Sequence, residues 1–118
     1  MNIGKTGAEG EKRVANYLRK TGFSVIKRNF QSRYGEIDII AENEEFLLFV
    51  EVKTRKIGAI IRGVYAVDKA KQTRIEKTAM NYMVKYNINL QPRFDIAEVE
   101  VSGKIFKSVK INYIEKAF

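Results

Sequence analysis

The sequence predicts an α/β fold in which two helices pack against a single β-sheet. Two stretches place apolar residues at helical spacing, and five shorter segments have the alternating, β-branched and aromatic residues typical of strands. Their order along the chain is helix, three strands, helix and two strands. No linker, repeat or low-complexity segment interrupts the 118 residues, so we expect one domain that spans residues 1–118.

The first half of the chain begins with a predicted helix over residues 6–21. An apolar stripe recurs on one side of this segment, and Gly22 is a typical C-terminal stop. Residues 23–30, FSVIKRNF, have the composition of a strand, and the QSRYG that follows predicts a turn.

The rest of the chain predicts a hairpin, a second helix and two final strands. A polar turn separates the two hairpin strands, and glycines bound the loop that follows them. The predicted elements are, in order, strands over 37–42 and 45–54, a loop over 55–64, a helix over 67–87, and strands over 93–101 and 105–114.

Composition limits the chemistry that is available to the protein. The absence of cysteine and histidine excludes disulfides, thiolate zinc sites and any mechanism that needs an imidazole base. Lysine and arginine number 22 against 14 acidic residues, and the formal charge of +8 favours a polyanionic partner such as nucleic acid. A solvated basic surface without such a partner has the same composition. The chain has no bilayer-length apolar run and no signal-peptide core, so we expect a cytoplasmic protein without a membrane partner.

The segment FLLFVEVKTR, residues 46–55, ends a hydrophobic run with a glutamate and a lysine. Side chains alternate between the two faces of a strand, so one face can form the core while Glu51 and Lys53 project together from the other. An ordinary strand whose last residues reach solvent would have the same pattern.

A second acidic segment, GEIDII at residues 35–40, precedes this strand in the hairpin. We expect Ala41 to pair with Phe46. That register places Asp38 diagonal to Glu51, with about 7 to 8 Å between their backbones. Two carboxylates at that separation can reach one ion between them.

Three further charged residues add to this acidic pair. The same register places Glu36 opposite Glu51, where like charges are destabilising unless a cation lies near. Glu11 lies on the apolar stripe of the first helix, where a carboxylate needs a partner or a metal, unless it curls to solvent at the helix N-terminus. Lys71 lies on the apolar stripe of the second helix, where a lysine stem can also snorkel to solvent.

Oxygen ligands from aspartate and glutamate suit Mg²⁺ or Mn²⁺, which keep several waters and bind substrate phosphates. A lysine beside such an ion can deprotonate the attacking water and neutralise charge on phosphorus. The acid pair, Lys53, Glu11 and the basic composition therefore suggest metal-assisted phosphodiester hydrolysis.

Five segments, taken in order, resemble a known family. They are AEGE, NFQSRYGEIDII, FLLFVEVKTR, KQTRI and PRFDIAEVEV, and they extend from about Ala8 to Val101. Together they resemble the YraN-like family of uncharacterised bacterial proteins, which is similar to the PD-(D/E)xK restriction-endonuclease-like superfamily and its archaeal-type Holliday junction resolvases. The resemblance implies a restriction-endonuclease-like αβββαβ core, with a mixed central sheet flanked by helices.

The resemblance also implies roles for individual residues, carried over by position. Ile37 stands where the superfamily often has a proline, and this departure has little consequence. The implied site consists of Asp38 and Glu51 as metal ligands, Lys53 as the catalytic lysine, Glu11 from the first helix, and Glu36 and Lys71 as supporting members.

The first functional hypothesis is a Mg²⁺-dependent endonuclease acting on DNA, including branched or damaged DNA. The second is a non-catalytic nucleic-acid-binding module with a nuclease-like fold, since a shared fold does not establish a shared activity. The third is a basic protein associated with RNA or the ribosome.

Basic residues around the loop and the second helix could bind backbone phosphates or form a solvated face. The isoleucine-rich residues 56–61 are unusual in an exposed loop and are a candidate homodimer contact or flap. The candidate phosphate-binding residues are Arg55, Lys56, Arg62, Lys69, Lys71, Arg74 and Lys77.

Overall fold

The computed structural model describes residues 3–56, 67–101 and 110–118. Within these ranges the chain forms two helices and five strands in the predicted order, so the expected αβββαβ core is confirmed. No helix in these ranges is long and apolar enough to cross a membrane. The elements are α1 (Ile3–Lys20), β1 (Ser24–Ser32), β2 (Gly35–Glu42), β3 (Phe46–Lys56), α2 (Lys69–Lys85), β4 (Gln91–Val101) and β5 (Lys110–Ile114).

The strands form one mixed sheet in the order β1-β2-β3-β4-β5. Neighbouring strands are antiparallel except β3 and β4, which are parallel. A parallel pair needs a crossover connection, and α2 lies in the segment that joins β3 to β4. β3 pairs with β4 over all 11 of its residues but with β2 only over residues 47–50. Beyond this short ladder, β2 and β3 separate.

Both faces of the sheet are buried, each beneath one helix. Leu18 of α1 belongs to a cluster with Val50, and Ile75 of α2 belongs to a second cluster with Phe49. The sequence pattern indicated one core-forming face of β3, whereas both faces of its first half are buried. Glu51 follows Phe49 on the side of the sheet that α2 covers.

The β2–β3 hairpin has a different register from the predicted one. Ala41 pairs with Leu48, not with Phe46. The physical reason is Asn43, whose side-chain oxygen accepts hydrogen bonds from the backbone N–H groups of Glu45 and Phe46 at 2.9 and 2.7 Å. These bonds stabilise a turn centred one residue further along the chain than the sequence pattern indicated.

The observed register changes which acidic residues meet. Asp38 faces Glu51 directly, one position beyond the last pair of the β2–β3 ladder, instead of lying diagonal to it. The expectation that Glu36 lies opposite Glu51 is wrong, because Asp38 takes that position in the observed register. The hairpin therefore brings together one acidic pair, closer than predicted.

The predicted loop over residues 55–64 is wrong at its start. β3 continues to Lys56, because its parallel partner β4 continues to Val101 and supplies a backbone partner for each residue. Arg55 is therefore a strand residue. The candidate dimer contact beyond Lys56, Arg62 and the predicted start of the last strand at residue 105 lie outside the described residues.

Gly10 marks the place where α1 comes closest to β3. A Cβ atom at Gly10 would overlap Oγ1 of Thr54 and lie 3.1 and 3.3 Å from its Cβ and Cγ2, so rotation of the threonine would not remove the overlap. Gly10→Ala is expected to lower the free energy of unfolding by about 1 to 3 kcal/mol through overpacking. Gly7→Ala in the same helix meets no atom within 4 Å. This second variant should raise the free energy by up to about 1 kcal/mol through helix propensity.

Urea denaturation of the two glycine variants beside the wild type measures both changes. Equal effects of the two substitutions would show that close packing against Thr54 does not select glycine at position 10.

Candidate functional site

Asp38 and Glu51 lie side by side where β2 and β3 separate. Both side chains are buried, with 7% and 8% of their surface exposed. The Asp38 carboxylate accepts a hydrogen bond from the backbone N–H of Val52 at 2.8 Å. This bond satisfies a strand N–H group at the point where the β2–β3 ladder has ended.

The two carboxyl groups of this pair titrate together. Burial, reinforced by a hydrogen bond and repulsion from Glu51, raises the pKa of Asp38 to about 8. Burial also acts to raise the pKa of Glu51, but the hydrogen bond with Asp38 and the Lys71 ammonium outweigh it and lower that pKa. The pair therefore retains a proton to a higher pH than an ordinary carboxyl group does, and Asp38 binds it more tightly than Glu51.

Lys71 contacts the acidic pair from α2, and Lys53 of β3 lies within electrostatic range of it. Lys71 lies in the first turn of α2, where Asp68 caps the helix by accepting the Lys71 backbone N–H at 2.8 Å. The Lys71 Nζ atom lies 3.1 Å from Glu51 Oε2. The predicted position of Lys71 on the inward stripe of this helix therefore corresponds to an ion pair with Glu51.

The pKa values of Lys53 and Lys71 are shifted in opposite directions. Burial and the nearby Lys71 ammonium lower the pKa of Lys53. Burial acts to lower the pKa of Lys71 as well, but Lys53 and Glu51 outweigh it and raise that pKa. Lys71 therefore keeps its proton, while Lys53 releases its proton more readily than an ordinary lysine.

Glu11 and Glu36 lie at the margin of this pair. The Glu11 carboxylate lies 3.8 Å from Arg28 Nη2 of β1. Burial raises the pKa of Glu11 while Arg28 opposes that change, and the charges of Glu36 and Glu51 add to it. Glu36 is exposed and accepts a hydrogen bond from the Gln31 side chain at 3.3 Å. Glu11 is an electrostatic neighbour of the pair, since its charge contributes to the raised pKa of Asp38, and Glu36 acts on Glu11.

A metal ion at this point would have two carboxylate ligands. Across residues 3–56, 67–101 and 110–118, no three acidic side chains are close enough to hold one ion. Mg²⁺ is typically held by one or two carboxylates and completes its octahedron with water and substrate oxygens. The Asp38–Glu51 pair matches that mode of binding.

The predicted phosphate-binding residues lie in different settings. Lys71 belongs to the acidic pair, and Arg55 is half-buried in β3. The side chain of Lys56 and the whole of Arg62 lie outside the part of the chain that the structure describes. The other three predicted residues, Lys69, Arg74 and Lys77, are exposed on α2.

Comparison with known proteins identifies the family of this chain. The model of the Uncharacterised protein family UPF0102 matches residues 10–99, a range that contains all the site residues predicted from the sequence. The chain belongs to the UPF0102 family. The resemblance to the YraN-like proteins is thereby confirmed.

Several UPF0102 relatives match over most of their length. The UPF0102 protein TTE1452 of Caldanaerobacter subterraneus subsp. tengcongensis is 40% identical over 119 residues, covering 100% of this chain and 98% of the relative. A UPF0102 protein of Alkaliphilus oremlandii is 39% identical over 117 residues, covering 97% of each. The UPF0102 protein COXBURSA331_A1934 of Coxiella burnetii is 37% identical over 103 residues, covering 86% of each. These names state a family and no activity.

Sequence reasoning missed Arg28 in this UPF0102 chain. Arg28 comes from β1, and its guanidinium lies 3.8 Å from the carboxylate of Glu11. Its positive charge opposes the repulsion between Glu11 and Glu51. A basic residue in a strand carries no sequence signal for a partner on a distant helix, so the contact requires the three-dimensional fold.

Proposed function

We propose that this UPF0102 protein is a Mg²⁺- or Mn²⁺-dependent nuclease that hydrolyses phosphodiester bonds, with DNA, including branched or damaged DNA, as the favoured substrate. The observation that carries the proposal is the buried Asp38–Glu51 pair with Lys53 and Lys71 beside it. This pair holds a proton between two carboxylates, and a divalent cation bound to both would replace that proton. The residues present therefore fit the metal.

Each side chain then has a distinct part in the reaction. A bound Mg²⁺ supplies Lewis-acid activation of water and neutralisation of phosphate charge. Lys53, with its lowered pKa, is the group that would take the proton of the attacking water as the phosphorus–oxygen bond to the leaving group breaks, and solvent water would protonate the leaving oxygen. Lys71, with its raised pKa, stays charged and stabilises the negative charge that grows on the phosphate oxygens. The ion pair with Glu51 holds Lys71 in position for that contact.

A non-catalytic nucleic-acid-binding module is the second candidate function. It is favoured by the absence of a third carboxylate at the pair among the described residues, where Glu11 is drawn to Arg28. In such a module Lys53 and Lys71 would bind phosphates without turnover. A basic RNA-associated protein is the third candidate, and it would prefer folded RNA to DNA.

Glu51→Gln tests the nuclease proposal, because it removes one metal ligand and the partner of Lys71. We expect calorimetry with Mg²⁺ and Mn²⁺ to show binding by the wild type and none by this variant. Cleavage of a panel of single-stranded, duplex and branched DNA, with matching RNA, should fall by at least about 10²-fold.

Glu44→Gln is the matched control, since it removes an exposed carboxylate in the β2–β3 turn and should leave both readouts unchanged. A folded wild type that binds nucleic acid, but neither binds metal nor forms products, would identify the protein as the binding module.

A further inference from the structure

A groove of ≈ 520 Å³ lies between the β1–β2 turn and the outer side of α2. Arg33 and Tyr34 line one wall, and Lys77, Met80 and Val84 line the other. Met80 and Val84 are 60% and 76% exposed, which is a large exposure for two apolar side chains on one helix face. Exposed apolar surface bordered by polar residues is typical of binding sites.

The β1–β2 turn is fastened to α2, so the groove has fixed walls. Ser32 Oγ and Thr78 Oγ1 lie 3.0 Å apart and share a hydrogen bond. The same serine oxygen accepts the Tyr34 backbone N–H at 3.1 Å. Gly35 lies against Arg74, since a Cβ atom at Gly35 would be 3.7 Å from the arginine Cβ.

Two exposed cations and one carboxylate, Glu76, line the groove beside an aromatic ring. The Arg33 guanidinium carbon lies 5.0 Å from the centroid of the Tyr34 ring, and Lys77 Nζ lies 5.8 Å from it. Bases stack on aromatic and apolar side chains, while arginine and lysine bind the phosphates between them. The groove thus offers complementary surfaces to both parts of a nucleotide.

Two elements, α2 and β2, connect the groove with the acidic pair. Lys71 and Val84 lie at opposite ends of α2, about 20 Å apart along the helix axis. Gly35 begins β2 and lies about 10 Å along the strand from Asp38. A strand of several nucleotides can span that separation. A peptide would gain less from this surface, because the path between groove and pair carries exposed cations at Arg74 and Lys77.

We propose that this groove binds an unpaired, single-stranded segment of the nucleic acid that is cut at the Asp38–Glu51 pair. The proposal rests on the proposed nuclease function and specifies its substrate class. Bases in a continuous duplex are stacked on each other and cannot lie on Met80 and Val84, whereas unpaired bases can. The expected substrate therefore has a single-stranded flank, gap or branch next to the cleaved bond.

The test measures binding without turnover, by fluorescence anisotropy of a labelled single-stranded oligonucleotide and a duplex of equal length in EDTA. The double variant Met80→Ser/Val84→Ser should weaken single-strand binding by about 10-fold or more while changing duplex binding little. Lys77→Gln should reduce the salt dependence of single-strand binding by about one phosphate contact. Lys110→Gln is the matched control, because Lys110 is equally exposed but lies on β5 at the opposite edge of the sheet.

The possible outcomes test the groove assignment separately from the nuclease proposal. Unchanged single-strand affinity in the groove variants overturns the groove assignment, even where Mg²⁺-dependent cleavage is intact. Weakened single-strand affinity supports the groove even where no cleavage is found, and that result would count against the nuclease alone. Unchanged affinity with an altered sedimentation coefficient of the double variant would assign the surface to a second copy of the chain and overturn the proposal.

Discussion

Asp38→Asn is expected to stabilise the protein at and above neutral pH while it removes metal-dependent cleavage. The pKa of Asp38 is raised from 3.8 to about 8, so the folded state binds a proton that the unfolded state has released. The asparagine side chain does not titrate, so it makes no pH-dependent contribution to stability. Its amide oxygen can still accept the Val52 N–H. A gain in stability on this substitution would show that the Asp38 carboxylate lowers the stability of the wild type and is retained for function.

The sign of the pH dependence follows from the raised pKa. In the wild type, the stabilising contribution of protonated Asp38 is fully present below about pH 4 and is lost as the pH rises through about 8. The variant should therefore match the wild type near pH 4 and exceed it by roughly 2 kcal/mol or more at pH 8. Cleavage should fall by at least about 10²-fold, because one metal ligand is lost.

Urea denaturation from pH 4 to pH 8.5, without added metal, measures the stability difference. Glu44→Gln is again the control, since an exposed carboxylate should shift stability by less than about 0.5 kcal/mol. A difference between Asp38→Asn and the wild type that does not grow with pH would contradict the raised pKa.

Asp95→Ala is expected to destabilise the fold by about 3 to 5 kcal/mol, the typical result of breaking a buried ion pair. Asp95 has no exposed surface and accepts bonds from Arg93 Nε and Nη2 at 3.0 and 2.9 Å. It also accepts bonds from the Tyr113 hydroxyl at 2.6 Å and the Lys116 backbone N–H at 3.0 Å. Burial and Asp95 raise the pKa of Tyr113, so its hydroxyl keeps its proton and remains a donor.

Arg93 is the group that the Asp95→Ala variant would leave without its main partner. Its guanidinium is buried, with its central carbon 4.8 Å from the centroid of Phe46 and 5.8 Å from that of Phe23. The exposed Glu115, at 3.4 Å, cannot replace Asp95, because its charge is largely solvated. Removing both charges in Arg93→Met/Asp95→Leu should recover part of the lost stability. The recovery is incomplete because the Tyr113 hydroxyl and the Lys116 N–H lose their acceptor.

Thermal or urea denaturation of Arg93→Met, Asp95→Leu and the double variant forms a cycle that measures the coupling between these two residues. Glu100→Ala, at an exposed site of the same strand, is the matched control. Additive effects of the two single changes would show that the ion pair does not act as a unit.

Local sequence patterns were sufficient for the elements and for most of the acidic site. Alternation along β3 predicts that Glu51 and Lys53 share a face, because strand geometry fixes the side on which each residue projects. Helical spacing predicts that Lys71 points inward, and its ion pair with Glu51 agrees with that prediction. Such features depend only on the spacing of residues within one helix or one strand.

Features that depend on contacts between elements were not predictable from the sequence. The hairpin register depends on the position of the turn, which the hydrogen bonds to the Asn43 side chain stabilise one residue later than predicted. The Glu11–Arg28 contact depends on how α1 crosses β1. In the sequence, Asp95 is a polar residue that interrupts a buried strand. One of its partners is the backbone N–H of Lys116, which lies 21 residues further along the chain. Neither composition nor periodicity encodes these pairings.

The hydrogen bond from the Val52 N–H to Asp38 makes one backbone amide an internal spectroscopic probe of the carboxyl group. The nuclear magnetic resonance frequency of an amide proton depends on the charge of the oxygen that accepts it. A pH titration followed at Val52 should therefore report the ionisation of Asp38 in the unmodified protein. Addition of Mg²⁺ should move the same resonance at a fixed pH, and occupancy of the carboxylate could be followed residue by residue without any substitution.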